Sequence, residues 1–105
     1  MKSIKRKQEE LKMSIYGFAK GTDLEQMIKA MMQAEATGTM MYYALARMAK
    51  EQGYDDIVDT FIEAANQEAV HAGFYATLVG KYPQNFWGLV RGLQKAETGG
   101  EAQIR

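Results

Sequence analysis

The chain has 105 residues, which is enough for one domain with a modest hydrophobic core and too few for two. Its 13 basic and 13 acidic side chains cancel, so the net charge gives no indication of binding to nucleic acid or to a charged membrane surface. There is no cysteine, which excludes a disulfide framework, a zinc ribbon and a thiol nucleophile.

Hydropathy and residue usage point to a helical protein outside the membrane. No apolar run approaches the length of a transmembrane span, and the basic N-terminus is not followed by the apolar core of a signal peptide. We therefore expect a cytoplasmic protein with no nucleic acid and no membrane among its partners. A single proline, eight methionines and few β-branched residues predict an all-α fold.

Residues 1–20 are predicted to form an N-terminal arm or a short helix ahead of the main helices. Basic residues are mixed there with apolar ones, which is typical of an amphipathic helix, of a solvated arm or of an arm that docks on a neighbour. Gly21 breaks the chain, and Thr22 or Asp23 is expected to cap the next helix. We predict a single helical domain over residues 1–105.

The first long helix is predicted from Leu24 to about Gln52. Its apolar face repeats in steps of three and four, and Glu35 is in phase with it; the face comprises Leu24, Ile28, Met31, Glu35, Gly38, Tyr42, Leu45 and Ala49. Gly53 is a helix stop, and the aspartates that follow suit the first turn of another helix. So short a connection predicts an antiparallel hairpin.

The second helix is predicted from about Asp55 to Val79, with Gly80 as its stop. Its inward face comprises Ile57, Phe61, Ala64, Glu68, His71 or Ala72, Tyr75 and Leu78. Glu68 and His71 are three residues apart and therefore share a face. A carboxylate and an imidazole among apolar side chains need a partner, because an unpaired buried charge is costly, and a metal ion would serve.

A third helix is predicted to start near Gln84, with Phe86, Val90, Leu93 and Glu97 on one stripe. Residues 93–99 echo residues 31–38, where an Ala-Glu pair is also followed by Thr and Gly. This pattern indicates the start of an internal repeat or a coincidence. Three helices leave one side of a bundle open, so we expect a four-helix bundle completed by oligomerisation, a swapped third helix, or a piece of a longer protein.

Glu35, Glu68, His71 and Glu97 are the candidate metal ligands. A Glu from one helix and a Glu-x-x-His from the next is the ligand set of carboxylate-bridged di-metal sites in four-helix bundles. Carboxylate oxygens suit iron or manganese, and one imidazole per metal leaves positions for oxygen or peroxide. Singly, each residue has a plainer explanation. Glu35 could reach solvent beside Gly38, Glu68 could be a surface acid, and His71 could bond a backbone carbonyl. Their common phase favours the metal site.

The motif and its surroundings resemble a known family. The chain resembles the first half of a rubrerythrin, of the ferritin-like superfamily, in Glu35-(x6)-Tyr42, Glu51-Gln52-Gly53-Tyr54, Phe61, Ala64-Ala65 and Glu68-Ala69-Val70-His71-Ala72. The resemblance covers Gly21 to about Pro83, and Glu97 would match the first ligand of the family's second half. It implies a ferritin-like fold and a non-haem di-iron centre that reduces hydrogen peroxide. Glu35 would be a terminal ligand, Glu68 a bridging ligand and His71 a nitrogen ligand, all three acting in catalysis.

Two departures from the family define what this chain would need. It lacks the four cysteines of a rubredoxin-like iron domain, so an external electron donor such as a rubredoxin is implied. It also lacks a second Glu-x-x-His, so one copy of these residues cannot complete a two-iron site. A homodimer or a higher homo-oligomer would supply the second set, and the rival explanation is a truncated piece of a longer protein. Two alternatives stay open: a ferroxidase that uses dioxygen and sequesters iron, and a structural helical bundle without metal.

Overall fold

The computed structural model describes residues 14–104, with side chains as far as residue 99, and this part of the chain is all-α. Helix α1 spans Glu25–Glu51, α2 spans Asp55–Leu78 and α3 spans Phe86–Ile104, which confirms the three predicted helices. Helix α3 begins two residues later than predicted because Asn85 caps it: the Asn85 Oδ1 accepts a hydrogen bond of 3.2 Å from the backbone N–H of Gly88. The basic stretch of the predicted arm, residues 2–12, lies outside the described residues.

The turns between the helices form where glycine permits a left-handed backbone. Gly53 has φ +82° and ends α1, and Gly80 has φ +62° and ends α2. The Tyr54 N–H then donates to the Ala49 carbonyl at 2.8 Å, which closes the turn tightly. The predicted cap by Thr22 or Asp23 is wrong: Leu24 is the N-cap residue of α1 and no side chain caps this helix end. The Thr22 hydroxyl instead accepts a hydrogen bond of 3.3 Å from the Leu24 N–H, one residue before the helix.

Helices α1 and α2 pack against each other as an antiparallel hairpin, and α3 contacts neither of them within residues 14–104. The side chains that are buried are almost all small: Ala19, Ala46, Ala49, Ala65, Ala76 and Val79. Small side chains let the two helix axes approach closely, but they remove little apolar surface from water. The contact between α1 and α2 therefore forms only part of a hydrophobic core.

The contact stripe between α1 and α2 is rotated slightly from the predicted one. Met32 is half-buried against α2 whereas Met31 is exposed, and on α2 Ala72 is half-buried whereas His71 is exposed. The bulky side chains at the other predicted positions, such as Tyr42, Leu45 and Phe61, remain half-buried as predicted. The predicted choice between His71 and Ala72 is decided in favour of Ala72 for the helix contact.

Residues 14–24 close over the C-terminal end of α2. The Gly17 N–H donates to the Thr77 carbonyl at 2.8 Å, and the Ala19 N–H donates to the Leu78 carbonyl at 2.9 Å. These carbonyls belong to the last turn of α2, where carbonyl groups lack partners within the helix. The described part of the arm thus docks on its own hairpin.

One side of the hairpin carries a row of exposed apolar side chains, which we call the open face: Leu24, Met27, Met31, Met41 and Met48 from α1, with Ile57 and Phe74 from α2. Helical periodicity aligns each row along one flank of its helix, and the two flanks lie on the same side of the antiparallel pair. His71 belongs to the α2 row. None of the helices within residues 14–104 combines the length and the apolar content that a bilayer crossing requires.

Candidate metal centre

A cluster of three potential metal ligands lies midway along the hairpin. Glu35 comes from α1, and Glu68 and His71 come from successive turns of α2. One donor atom from each residue lies within 4.8 Å of the others. The antiparallel packing of α1 on α2 brings Glu35 opposite Glu68, and the three-residue spacing then adds His71 on the same side.

The Glu35 carboxylate is partly buried, and only one of its oxygens has a polar neighbour among the described residues. Its side chain is 22% exposed, and its Oε1 lies 3.6 Å from the His71 Nδ1. Its other oxygen, Oε2, is buried without a hydrogen-bond partner among the described residues. Buried polar atoms in native proteins are nearly always satisfied, so this carboxylate oxygen is available to bind a cation.

His71 lies at the edge of the cluster, with its side chain 59% exposed. Its imidazole reaches back to Glu35 from the open face. The cluster is thus enclosed by α1 and α2 on one side and accessible through His71 on the other. The alternative of a core histidine bonded to a backbone carbonyl does not describe this side chain, because it is exposed and faces a carboxylate.

Glu68 lies against the backbone of α1 at Gly38. A Cβ atom built on Gly38 would lie 3.1 Å from the Glu68 Cδ and 3.3 Å from each of its carboxylate oxygens. The space beside Gly38 therefore holds the Glu68 carboxylate and does not give Glu35 a route to solvent. The helical pattern placed Gly38 on the apolar face of α1 but did not predict this role. The available indication was that Gly38 lies one turn after Glu35 on the same face of the helix.

The other residues singled out from the sequence lie apart from the cluster. Glu97 is exposed on α3, which does not contact the hairpin, so its role as a ligand stays a prediction. Tyr42 stacks on Phe61 with 6.3 Å between ring centroids, and Tyr75 packs edge-on against Phe74 at 6.0 Å. Each of these tyrosines thus lies against a neighbouring aromatic ring.

The donor set fits iron or manganese. Two carboxylates and one imidazole are ligands that these ions accept, and the Glu35 Oε2 has no hydrogen-bond partner among the described residues that would compete with a metal. Three residues are half of the ligands that a carboxylate-bridged two-ion site uses. These 105 residues contain one histidine, so a second imidazole would have to come from outside them.

Comparisons with known proteins show what the chain is similar to. The family model described as Rubrerythrin matches residues 22–101. An uncharacterized protein of Methanocaldococcus jannaschii is 31% identical over 81 residues, which make up 77% of this chain and 57% of that protein. Reverse rubrerythrin-1 of Clostridium acetobutylicum is 37% identical over 67 residues, which make up 62% of this chain and 37% of that protein. The chain thus spans less than two thirds of the length of either relative. No solved structure matches it.

Proposed function

The chain belongs to the rubrerythrin family, and from this premise we propose that it is a non-haem di-iron oxidoreductase that reduces hydrogen peroxide. Membership of the family implies iron binding in general and suggests an oxidoreductase kind of activity. The observation that carries the proposal is the cluster of Glu35, Glu68 and His71, in which one buried Glu35 oxygen has no hydrogen-bond partner among the described residues. Its expected physiological role is protection against oxidative stress.

Each residue of the cluster has a role in this proposal. Glu35 is a terminal ligand, Glu68 a bridging ligand and His71 a nitrogen ligand. The chemistry that a bound iron pair supplies is the transfer of two electrons to peroxide.

The proposed reaction needs an external reductant. Reduction of one hydrogen peroxide breaks its O–O bond, consumes two electrons and two protons, and yields two waters. The 105 residues contain no cysteine that could hold a rubredoxin-like iron. We therefore assign the electrons to a separate one-electron carrier, such as a rubredoxin, that delivers them one at a time.

We further propose that the second half of the ligand set comes from a second copy of the chain. Two hairpins facing each other about a two-fold axis would supply two each of Glu35, Glu68 and His71. The open face supports this partner because its apolar side chains surround the exposed side of the cluster. Contiguous exposed apolar surface of this kind marks an interaction site in soluble proteins.

Metal counting by native mass spectrometry tests the proposed site. After anaerobic addition of ferrous iron we expect two irons per dimer for the wild type and loss of iron with retention of the dimer for His71→Ala. Asp59→Ala, at an exposed position of the same helix, is the matched control and should bind iron like the wild type. Iron bound by a chain that is monomeric in the same spectrum would refute the shared site, and a protein that binds no added ferrous iron would refute any metal-based function.

A second measurement separates peroxide reduction from iron storage. The iron-loaded protein, given a reduced rubredoxin, should consume hydrogen peroxide with two moles of donor oxidised per mole of peroxide. Under air, added ferrous iron should not accumulate beyond the two ions of the site. Uptake of many irons per dimer, driven by dioxygen and without peroxide turnover, would replace this proposal with the ferroxidase alternative.

A further inference from the structure

The Glu68 carboxylate occupies the space beside Gly38 in which a side chain would lie. The three atoms nearest to a Cβ built at this position are the Cδ and the two carboxylate oxygens of Glu68, at 3.1, 3.3 and 3.3 Å. A separation of 3.1 Å is closer than ordinary van der Waals contact, so an added methyl group would displace the carboxylate by a few tenths of an ångström. The absence of a side chain at Gly38 therefore determines where the Glu68 carboxylate can lie.

The position of Gly38 along α1 links it to the other carboxylate. Gly38 follows Glu35 by three residues and thus shares its face of the helix. One turn of α1 consequently presents Glu35 and also leaves room for Glu68 to approach it from α2. The Glu35 and Glu68 carboxylates can lie within 4.8 Å of each other because Gly38 has no side chain that would keep Glu68 away from α1.

Local helix stability does not account for a glycine at this place. Gly38 lies near the middle of a 27-residue helix, where glycine is a poorer helix former than alanine. Close approach of the two backbones does not account for it either, because the atoms that fill the space belong to the Glu68 carboxylate. Gly73 in α2 offers a contrast, since a Cβ there would meet nothing within 4 Å.

We propose that Gly38 is a positioning residue of the metal site. Because Gly38 has no side chain, the Glu68 carboxylate can lie close enough to α1 to bind metal together with Glu35 and His71. This inference rests on the proposed function, because it assumes that the cluster binds iron. It adds a fourth residue to the site, one that contributes space and no donor atom. Outer groups that orient ligands typically change metal affinity by about 10- to 100-fold when mutated.

The test compares Gly38→Ala with Gly73→Ala. Binding of Co²⁺ is titrated anaerobically by visible absorption on the full chain, and thermal unfolding of the metal-free proteins is followed by circular dichroism. We expect Gly38→Ala to weaken Co²⁺ binding by about 10- to 100-fold and to alter the cobalt spectrum. Gly73→Ala should bind as the wild type does. Both variants should melt no lower than the wild type, because alanine favours the helix in each.

A double-mutant cycle with Glu68→Ala identifies the route of the effect. If Gly38 acts through the Glu68 carboxylate, Gly38→Ala should cause no further loss of Co²⁺ affinity once Glu68 is alanine. A further loss in that background, or equal losses for Gly38→Ala and Gly73→Ala, would overturn the inference. Unchanged binding by Gly38→Ala in a protein whose wild type binds Co²⁺ would also overturn it while leaving the proposed function intact. A wild type that binds neither Co²⁺ nor Fe²⁺ would instead refute the proposed function.

Discussion

Glu35 shows how a binding site can oppose the stability of the protein that carries it. Its Oε2 is buried without a partner in the described part of the chain, and its Oε1 lies 3.6 Å from an imidazole nitrogen. A buried carboxylate oxygen that has lost its water and gained no hydrogen bond destabilises the fold. Such a cost is typical of residues kept for function.

Replacement of Glu35 by Gln is expected to separate stability from metal binding. Glu35→Gln removes the charge and keeps the shape, so the metal-free protein should gain about 1 kcal/mol in free energy of unfolding. Iron binding should be lost, because an amide is a much weaker ligand than a carboxylate. Urea unfolding and metal counting measure the two effects. Glu63→Gln, exposed on α2, should change neither. A destabilised Glu35→Gln would mean that the charge already has a partner.

At the scale of the helices, the hairpin is held together by small side chains. Ala65 is fully buried between α1 and α2, and Ala46, Ala49 and Ala76 complete the closest contacts. Interiors are packed as densely as organic crystals, so a position filled by alanine has no room for a larger side chain. The separation of the helices in turn sets the distance from Glu35 to Glu68.

Ala65→Leu is expected to push the two helices apart. Overpacking should lower the free energy of unfolding by about 1 to 3 kcal/mol and weaken metal binding as well. Ala69→Leu makes the same change at an exposed position of α2 and should leave both properties close to those of the wild type. Urea unfolding with a Co²⁺ titration provides the comparison. Equal stability of the two variants would show that the α1–α2 contact tolerates the added volume.

At the scale of the whole molecule, the described part of the chain is half of a bundle. The hairpin buries one side of each helix, and its open face carries four methionines with Leu24, Ile57 and Phe74. Among the described residues α3 makes no contact with the hairpin, and Phe86, Trp87 and Leu93 are exposed on it. Exposed apolar surface on this scale favours association with further helices. A second copy is the partner that we propose, since it also supplies the missing ligands.

A charge on the open face should prevent that association. Met27 is 54% exposed and lies two turns before Glu35, about 12 Å along the helix, so Met27→Arg leaves the ligands themselves unchanged. We expect a shift from dimer to monomer in sedimentation velocity and loss of the two-iron state. Met40→Arg changes a residue that is 69% exposed on another side of α1 and should leave the dimer intact. A Met27→Arg variant that stays dimeric would place the interface elsewhere.

The number of helices, their stops and the grouping of Glu35, Glu68 and His71 could all be predicted from the sequence. Gly53 and Gly80 end helices because they adopt a left-handed backbone at little cost, a local property that needs no knowledge of the fold. The phase of Glu35 within α1, and the i, i+3 spacing of Glu68 and His71, follow from helical periodicity alone. These features depend on interactions within a few residues along the chain.

The rotation of each helix, and the use made of the space at Gly38, were decided only by tertiary packing. Met31 and Met32 fit the helical pattern about equally well, as do His71 and Ala72, and the packing of alanines across the pair selects between them. The sequence likewise could not show that Glu68 from α2 fills the gap at Gly38, or that α3 stays clear of the hairpin. Such outcomes depend on which side chains meet across two helices, and periodicity within one helix carries no information about its neighbour.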